Sequence, residues 1–213
     1  MRQLILFTAL ALISTGCATT HLIQQYKNPD TGYFESNKLF IIGLEGDFQL
    51  REQFEKSLVR SFEKENVRAV KSIDFFEDSF TKKKKTIEEL NKIETTLLNA
   101  EFDAVLLTKV TGTEKRYYTS SMVHQFMTSN QTFEDYYYGN QYKYLREKGK
   151  KEDYTVYMVE TSLYCICPDK ERELLWRGEI ELTDTKNNQK NINNYIKTLF
   201  KHLKENDLLV IHQ

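Results

Sequence analysis

Three carboxylates and one guanidinium group fall on two neighbouring stretches of alternating apolar and polar residues. Glu160 lies in the first stretch, and Arg177, Glu179 and Glu181 lie in the second. If both stretches are strands joined by a turn, the four side chains share one face of a hairpin. Grouped carboxylates could perform acid–base chemistry or hold a cation. Because Arg177 lies beside them and hard cations want more oxygens, a solvated sheet face is the simpler interpretation.

Other chemistry has little support in the sequence. The motifs His-Glu-x-x-His, Cys-x-x-Cys and Gly-x-Ser-x-Gly are absent, as is a phosphate-binding glycine loop. The histidines are scattered, and no two of them have a metal-ligand spacing. The sequence therefore predicts no catalytic residue, no metal site and no cofactor. The four histidines are His21, His124, His202 and His212.

The amino terminus has the three-part layout of an export signal. Arg2 is followed by an apolar run over residues 4–13 and by small residues at 14–16. A helix that spans a membrane needs roughly 20 apolar residues, which is more than this run provides. We therefore expect residues 1–16 to be a signal peptide that is cleaved.

The four residues Ser-Thr-Gly-Cys that end at Cys17 resemble the lipobox of bacterial lipoproteins, with Ser14 where leucine is usual. The resemblance implies that the Cys17 thiol receives a diacylglyceryl group and that Cys17 begins the mature chain. Two or three acyl chains anchor a protein almost permanently. Ala18 is not the aspartate that retains enterobacterial lipoproteins in the inner membrane, so we expect an outer-membrane location facing the periplasm. The alternative is an ordinary signal with a chance cysteine.

Charge and cysteine content narrow the possibilities further. The 213-residue chain has 30 Lys and Arg against 31 Asp and Glu, a net charge of −1, which excludes the usual signature of a nucleic-acid-binding protein. Cys165 and Cys167 could pair in an oxidising compartment. Because residues two apart on a strand lie near the upper distance limit for a disulfide, we interpret them as two small buried apolar residues.

Residues 17–37 lack a sustained hydrophobic period and contain the turn sequence Asn-Pro-Asp-Thr-Gly. They are predicted to be a lipidated tether that could reach about 70 Å from the membrane at roughly 3.5 Å per residue. Residues 38–213 then form a single α/β domain, which is a reasonable size for one core.

A regular pattern begins at Lys38. KLFIIGL, VRAVKSI and FDAVLLTKV are predicted strands. Two amphipathic helices separate them, the first capped by Asp47 and the second opened by a capping box of Thr86 and Glu89. This β-α-β-α-β alternation implies parallel strands with right-handed crossovers. The second strand is less apolar, which places it at an edge and gives the order 2-1-3.

The second half predicts an antiparallel hairpin and a third, C-terminal helix. YTVYMVETSLYCIC alternates, turns at residues 169–172 and returns as ELLWRGEIELTD. A four-residue turn makes one face apolar and leaves the other to water. The predicted pairs are Cys165 with Trp176, Leu163 with Gly178, Thr161 with Ile180, and Val159 with Leu182.

Residues 117–153 are predicted to be a tyrosine-rich insertion. Ten of the thirteen tyrosines lie between residues 117 and 164. Tyrosine rings bury much area at small entropic cost and are common at interfaces, and aromatic rings also stack on sugars. We expect the insertion either to bind an envelope protein or glycan, or to cover the hairpin and the edge of the sheet. The candidate partner-binding residues are Tyr136, Tyr137, Tyr138, Tyr142 and Tyr144.

Three stretches of the sequence are LREQFEKSLVRSFEKENVRAVKS, EFDAVLLTKVTGTEKRYY and VETSLYCICPDKERELLWRGEIE. They resemble a family of uncharacterised bacterial envelope lipoproteins, and the resemblance covers nearly the whole mature chain. In that family R-x-x-F-E enters the first helix, F-D-A-V-L-V-T forms the third strand, and E-T-x-L-Y-D leads into L-x-W. Cys165 stands where the aspartate is usual. The resemblance implies a periplasmic α/β domain similar to the amino-terminal domains of envelope-assembly lipoproteins and of the translocation protein TolB, with no known activity. The matching residues are Arg51, Phe54, Glu55, 102–108, Glu160, Thr161, Leu163, Tyr164, and Leu174 or Leu175 with Trp176.

Two functions of different classes follow. The first is a non-catalytic lipoprotein that binds another envelope component, or itself, through the insertion and the open sheet face. The second is a hydrolase or ligand-binding protein that acts on cell-wall or lipid material with the hairpin carboxylates. The second function requires Glu160 or Glu179 to lie in a deep pocket with a raised pKa.

Overall fold

Six strands form one mixed sheet in the part of the chain that the structure describes. The structure is a computed structural model that describes residues 20–81, 83–118, 152–166 and 172–209. The strands lie side by side in the order β1-β6-β5-β4-β2-β3. Their bounds are β1 Thr20–Lys27, β2 Leu39–Leu44, β3 Ala69–Lys71, β4 Ala104–Tyr118, β5 Glu152–Cys165 and β6 Glu173–Thr183.

Helices pack against both faces of the parallel half of the sheet and against one face of the antiparallel half. The longer ones are α1 (Phe48–Lys64), α3 (Ile87–Asn99) and α4 (Asn188–Glu205), and the short α2 (Ser72–Phe75) precedes a 3₁₀ turn over Asp78–Thr81. The helices α1 and α4 contact each other and pack on one face of the sheet. Leu97 of α3 packs in a second core on the other face. Within the described ranges, no helix combines the length and the apolar character that crossing a membrane requires.

The helix starts follow the predicted capping residues. The Asp47 carboxylate accepts hydrogen bonds from the N–H groups of Gln49 and Leu50 at 2.8 and 3.1 Å. Thr86 and Glu89 form a reciprocal capping box at the start of α3. Each cap satisfies backbone donors that have no partner inside the helix, so these short polar signals fix where the helices begin.

The predicted α/β class and the parallel core are confirmed. The strand β2 pairs in parallel with β3 on one side and with β4 on the other, which is the order 2-1-3 of the sequence prediction. Residues 39–43 of β2 are buried without alternation because α1 covers one face and α3 covers the other. A continuously apolar strand is typical of a sheet that is covered on both faces.

The predicted hairpin is present, but its register is wrong by two residues. Leu163 pairs with Trp176, Thr161 with Gly178, and Val159 with Ile180. The connection is longer than the predicted four residues, since β5 ends at Cys165 and β6 begins at Glu173, and the pairing also shifts between residues 163 and 164. Over residues 156–163 and 176–183, a slip of two leaves each side chain on its predicted face, because side chains alternate with a period of two. Beyond the shift, Leu175 is buried in the main core although strict alternation would place it on the other face from Trp176.

The predicted tether is wrong from Thr20 onward. Residues 20–27 form β1, which pairs antiparallel with β6 at the sheet edge, and Phe34 forms an isolated bridge with Leu208. The strand covers an otherwise open edge of β6, and Leu22 packs against the core. Because most other β1 side chains are exposed, the segment lacks the hydrophobic alternation by which strands are recognised.

The predicted insertion is shorter at both ends. The strand β4 continues to Tyr118 and β5 begins at Glu152, and the two pair throughout this length. The five candidate tyrosines at 136–138, 142 and 144 lie outside the described residues, as does Cys17.

The interpretation of Cys165 as an unbonded buried residue is also wrong, because Cys165 is disulfide-bonded. The two other cysteines of the chain, Cys17 and Cys167, lie outside the described residues. The distance argument against a disulfide between Cys165 and Cys167 assumed that both residues lie on one strand. It does not apply, because β5 ends at Cys165.

Candidate functional site

A cavity of about 490 Å³ lies at the end of the sheet where β2 finishes. The first turns of α1 and α4 stand on either side of it. The cavity thus lies at the carboxyl end of β2, the end at which open α/β sheets usually bind ligands. The lining residues are Gly43, Leu44, Glu45, Leu50, Phe54, Thr108, Lys109, Val110, Tyr157, Val159, Leu182, Asp184, Lys186, Asn188, Asn191, Ile192 and Tyr195.

Apolar side chains form the walls of the cavity. Leu50 and Phe54 come from one face of α1, Val159 and Leu182 come from the sheet, and Ile192 comes from α4. Val159 and Ile192 belong to the main core, Leu50 and Phe54 pack against it, and Leu182 is buried. The cavity is therefore a gap at the top of the hydrophobic core, where the two helices diverge from the strand ends.

Hydroxyl groups that bond to one another lie at the floor of the cavity. The hydroxyls of Thr108 and Thr161 are 2.7 Å apart, and the Tyr195 hydroxyl bonds to Thr161. Burial raises the pKa of Tyr195 far above its ordinary value near 10. Tyr195 is therefore a neutral phenol at physiological pH whose hydroxyl joins a network inside the protein.

Polar groups surround the mouth, where α4 begins. The Asn191 amide donates to the Asp184 carboxylate at 2.7 Å, and its oxygen accepts from the N–H and hydroxyl of Thr185 at 3.0 and 2.7 Å. These bonds hold the turn between β6 and α4. Glu45 and Lys186 add one charge of each sign to the lining, so the mouth has mixed polarity.

Exposed apolar residues also lie at the mouth. Leu44 and Val110 line the cavity and are among the exposed large hydrophobic residues, and Phe48 follows closely at the start of α1. The cavity is thus continuous with an apolar rim, which distinguishes it from a polar cleft. Concave apolar sites with a few polar groups are typical of small-molecule binding.

The hairpin carboxylates do not line this cavity. The Glu160 carboxylate lies 3.1 Å from Lys109 Nζ and 3.7 Å from Arg177 Nε. Glu179 accepts from Gln24 and Thr111 at 2.8 and 3.0 Å. Both glutamates alternate with the core-facing residues of their strands and so occupy the opposite face of the sheet. The described cavity therefore includes neither of the two carboxylates that the hydrolase hypothesis requires in a deep pocket.

The described part of this open face is a network of ion pairs. Arg116 makes two hydrogen bonds of 2.8 Å to Glu181, in addition to the pairs of Glu160. Hydrogen bonding to Glu181 is the main cause that raises the pKa of Arg116 above its ordinary value. Nowhere in the described ranges do three His, Cys, Asp or Glu side chains gather as a metal site would require.

A buried ion pair supports the cavity from behind. Arg51 Nε donates to Glu55 Oε1 at 2.9 Å, and both side chains are almost fully buried. The N–H of Gly43, a lining residue, also donates to Glu55 Oε1 at 2.9 Å, and the Ser72 hydroxyl donates to it at 2.6 Å. These contacts tie α1 to the end of β2 and to the start of α2. Their role is to position the wall and rim.

Arg51 and Glu55 lie in the segment R-x-x-F-E, but their burial as an ion pair was not predicted. An arginine and a glutamate four residues apart usually form an exposed helix pair. The cavity itself was missed because its lining comes from six separate helices and strands and from the loops between them. The sequence contained one signal for the cavity: the polar helix caps Asp47 and Asn187 each follow shortly after a strand, and they begin the two helices that flank the cavity.

No family model and no curated protein matches the chain. Among solved structures, the chain is similar to two PelC dodecamers from Paraburkholderia phytofirmans. One has 11% identity, covers 91% of this chain and 99% of that chain, and gives a TM-score of 0.46. The other has 11% identity, covers 88% and 97%, and gives a TM-score of 0.45.

A third similar structure is that of lipoprotein GNA1162 from Neisseria meningitidis. It has 11% identity, covers 79% of this chain and 98% of that chain, and gives a TM-score of 0.42.

Proposed function

We propose that this protein is a lipoprotein of the bacterial cell envelope that binds a partner and performs no catalysis. Acyl chains on Cys17 hold it in the outer membrane, facing the periplasm. The observation that carries the proposal is the start of β1 at Thr20, three residues after Cys17. An extended connection of this length spans about 11 Å, so an anchored domain stays beside the bilayer.

The disulfide of Cys165 supports a free thiol at Cys17. Thr20 lies beside Leu182, which pairs with Tyr157, and Cys165 is eight residues further along β5. Eight strand residues span about 26 Å, whereas a disulfide needs Cα atoms within roughly 7 Å. Cys17 cannot cover this distance from Thr20, so Cys167 is the remaining candidate partner and the Cys17 thiol is available for acylation.

Mass spectrometry of the mature amino terminus tests the anchor. The expected product begins at Cys17 and carries the mass of two or three acyl chains. The Cys17→Ser variant, with its signal still cleaved, should move from the outer-membrane fraction to the soluble envelope fraction. A chain that retains Arg2 and lacks any acyl mass would overturn the proposal.

The tyrosine-rich segment is proposed to bind a protein or glycan of the envelope. The strands β4 and β5 lead to this segment from the same end of the sheet at which β1 begins. Its partner would therefore lie close to the membrane. The residues proposed to make the contact are Tyr136, Tyr137, Tyr138, Tyr142 and Tyr144.

Replacement of these five tyrosines by serine should abolish co-purification of the partner and leave thermal unfolding unchanged. The matched control replaces Tyr26 and Tyr33, which are exposed and lie elsewhere. Equal recovery of the partner with the five-residue variant would exclude the segment as the binding surface.

Ligand binding is the part of the second candidate function that the geometry favours. The cavity has the size and apolar character of a binding site, whereas the hairpin carboxylates lie on the other face of the sheet. We therefore propose binding at the cavity and do not propose hydrolysis by those carboxylates.

A further inference from the structure

We propose that the cavity binds one long acyl chain of a lipid from the membrane beside which the protein is anchored. The supply of this ligand rests on the proposed function, because only an anchored domain stays near the bilayer. The recognition itself rests on the described cavity and can be tested without the anchor.

The deep part of the cavity suits a hydrocarbon chain. Its walls are Leu50, Phe54, Val159, Leu182 and Ile192, which offer no hydrogen bonds. At the floor, the hydroxyls of Thr108, Thr161 and Tyr195 bond to one another. A polar ligand would lose its bonds to water here without comparable replacement, whereas an apolar chain gains from leaving water.

The mouth suits the junction between a chain and its headgroup. Two carboxylates, Glu45 and Asp184, and two ammonium groups, Lys109 and Lys186, belong to the lining, and Lys109 is paired with Glu160. A site that selected an anionic headgroup would require an excess of positive charge. The mixed mouth therefore leaves the acyl chain as the recognised part, with the head remaining outside.

The position of the mouth favours a membrane lipid as the source. Thr20 pairs with Leu182, a lining residue of the cavity, so the chain departs towards Cys17 beside the cavity itself. The exposed rim residues Leu44 and Val110 lie at this same end. A domain held within about 11 Å of its anchor turns this apolar rim towards the bilayer.

The first experiment uses the mature-length chain with Cys17→Ser, purified without detergent. A fluorescent polyene fatty acid should bind at one molecule per chain, and palmitate should displace it. Octanoate should displace it far less well, because each methylene adds buried apolar surface. Absence of saturable binding would overturn the proposal.

Matched variants locate the binding to the cavity. Val110→Glu places a charge at the rim, and Leu50→Trp fills part of the cavity with a larger side chain. Each should weaken palmitate binding at least about ten-fold. The controls are Ile23→Glu and Ile87→Trp. Ile23 is 47% exposed against 46% for Val110, and Ile87 begins a helix away from the cavity. Controls should stay within about two-fold. Equal weakening of palmitate binding in the cavity variants and in the control variants would overturn the assignment of binding to the cavity. Two different cavity variants are used so that the test still stands if one of them fails to fold.

A second experiment identifies the source of the chain. The acylated protein is placed in vesicles whose phospholipid carries a photoreactive acyl chain. Crosslinks are expected in peptides that contain Leu50, Val159 or Ile192, and Leu50→Trp should remove them. If the Cys17→Ser protein binds palmitate but the acylated protein gives no such crosslinks, the membrane phospholipid is not the source of the chain, and that part of the proposal is wrong. If Cys17 carries no acyl group while palmitate still binds, the proposed anchor fails and the ligand class stands.

Discussion

The parallel and antiparallel halves of the sheet differ in how many of their faces are covered by helices. The parallel half, β3-β2-β4, is covered by helices on both faces, and residues 39–43 of β2 are buried. The antiparallel half, β5-β6-β1, is covered by α4 on one face. Its other face carries Glu160, Arg177 and Glu179. A strand that meets water on one face needs alternation, whereas a strand between two layers does not.

Charge pairs in the two halves therefore have different energetic roles. The Arg51–Glu55 pair on α1 is almost fully buried and satisfied by Gly43 and Ser72. The Lys109–Glu160 pair is partly exposed. Removal of one member of a buried pair leaves an uncompensated charge, but water replaces the missing member of an exposed pair. The stability of the fold should depend on the first pair and hardly on the second.

The largest effect is expected for Glu55→Gln. The substitution leaves the buried Arg51 guanidinium without its counter-charge, and the free energy of unfolding should fall by about 3–5 kcal/mol. Urea unfolding followed by circular dichroism measures the loss. The double variant Arg51→Met with Glu55→Leu should lose less than the single variant, because it removes both charges. A loss below about 1 kcal/mol for Glu55→Gln would show that the pair behaves like a surface pair.

The next largest effect is expected where the Trp176 indole packs over Gly178 on the buried face of the antiparallel half. A Cβ atom on Gly178 would lie 2.3 Å from Cη2 of Trp176 and 3.2 Å from Leu22. Gly178→Ala should therefore displace the indole and cost about 1–3 kcal/mol. Gly112→Ala is the control, because its Cβ would lie 3.7 Å from Met158, which is ordinary contact. Similar unfolding midpoints for the two variants would mean that Trp176 does not depend on the glycine.

A smaller, pH-dependent effect comes from Tyr195 at the floor of the cavity. Burial raises its pKa in the folded state, so the unfolded chain ionises this phenol first as pH rises through about 10. Stability contributed by the neutral phenol is present below that pH and is lost above it, by at most about 1.4 kcal/mol per pH unit. Tyr195→Phe should flatten the fall of Tm between pH 9 and pH 11 relative to the parent chain. An unchanged dependence of Tm on pH would show that a group other than Tyr195 causes the loss of stability.

The smallest effect is expected for Glu160→Gln on the open face. Water replaces its contacts with Lys109 and Arg177, and the cost should lie between 0 and about 1 kcal/mol. The difference from the parent should shrink further in 1 M salt, where the Debye length is about 3 Å. Urea unfolding at low and high salt provides both numbers. A loss as large as that of Glu55→Gln would erase the distinction between the two halves.

Local signals in the sequence predicted most of the elements and their order. Asp47 and the Thr86–Glu89 pair mark helix starts through bonds to neighbouring N–H groups. The continuous apolar run of β2 indicates cover on both faces, and the alternation in β5 and β6 assigns each side chain to its face. All of these depend on residues within a few positions of one another, so they can be recognised in a single sequence.

Features that depend on distant residues were missed or misplaced. The tether prediction failed because β1 is held by backbone bonds to β6, about 155 residues away, while most of its side chains remain exposed. The hairpin register was wrong because alternation fixes the face of a residue but not which partner it meets. The register depends on the length of the connection.

The sequence by itself determined the α/β class, the parallel order 2-1-3 and the two faces of the hairpin, because periodicity and caps are local properties of the chain. Only the tertiary structure decided where β1 lies, that Arg51 and Glu55 are buried together, and that a cavity opens beside Thr20. Each of these results from packing between elements that are far apart in sequence. Such packing depends on how the ends of helices and strands meet in space, and no local pattern of residue types records it.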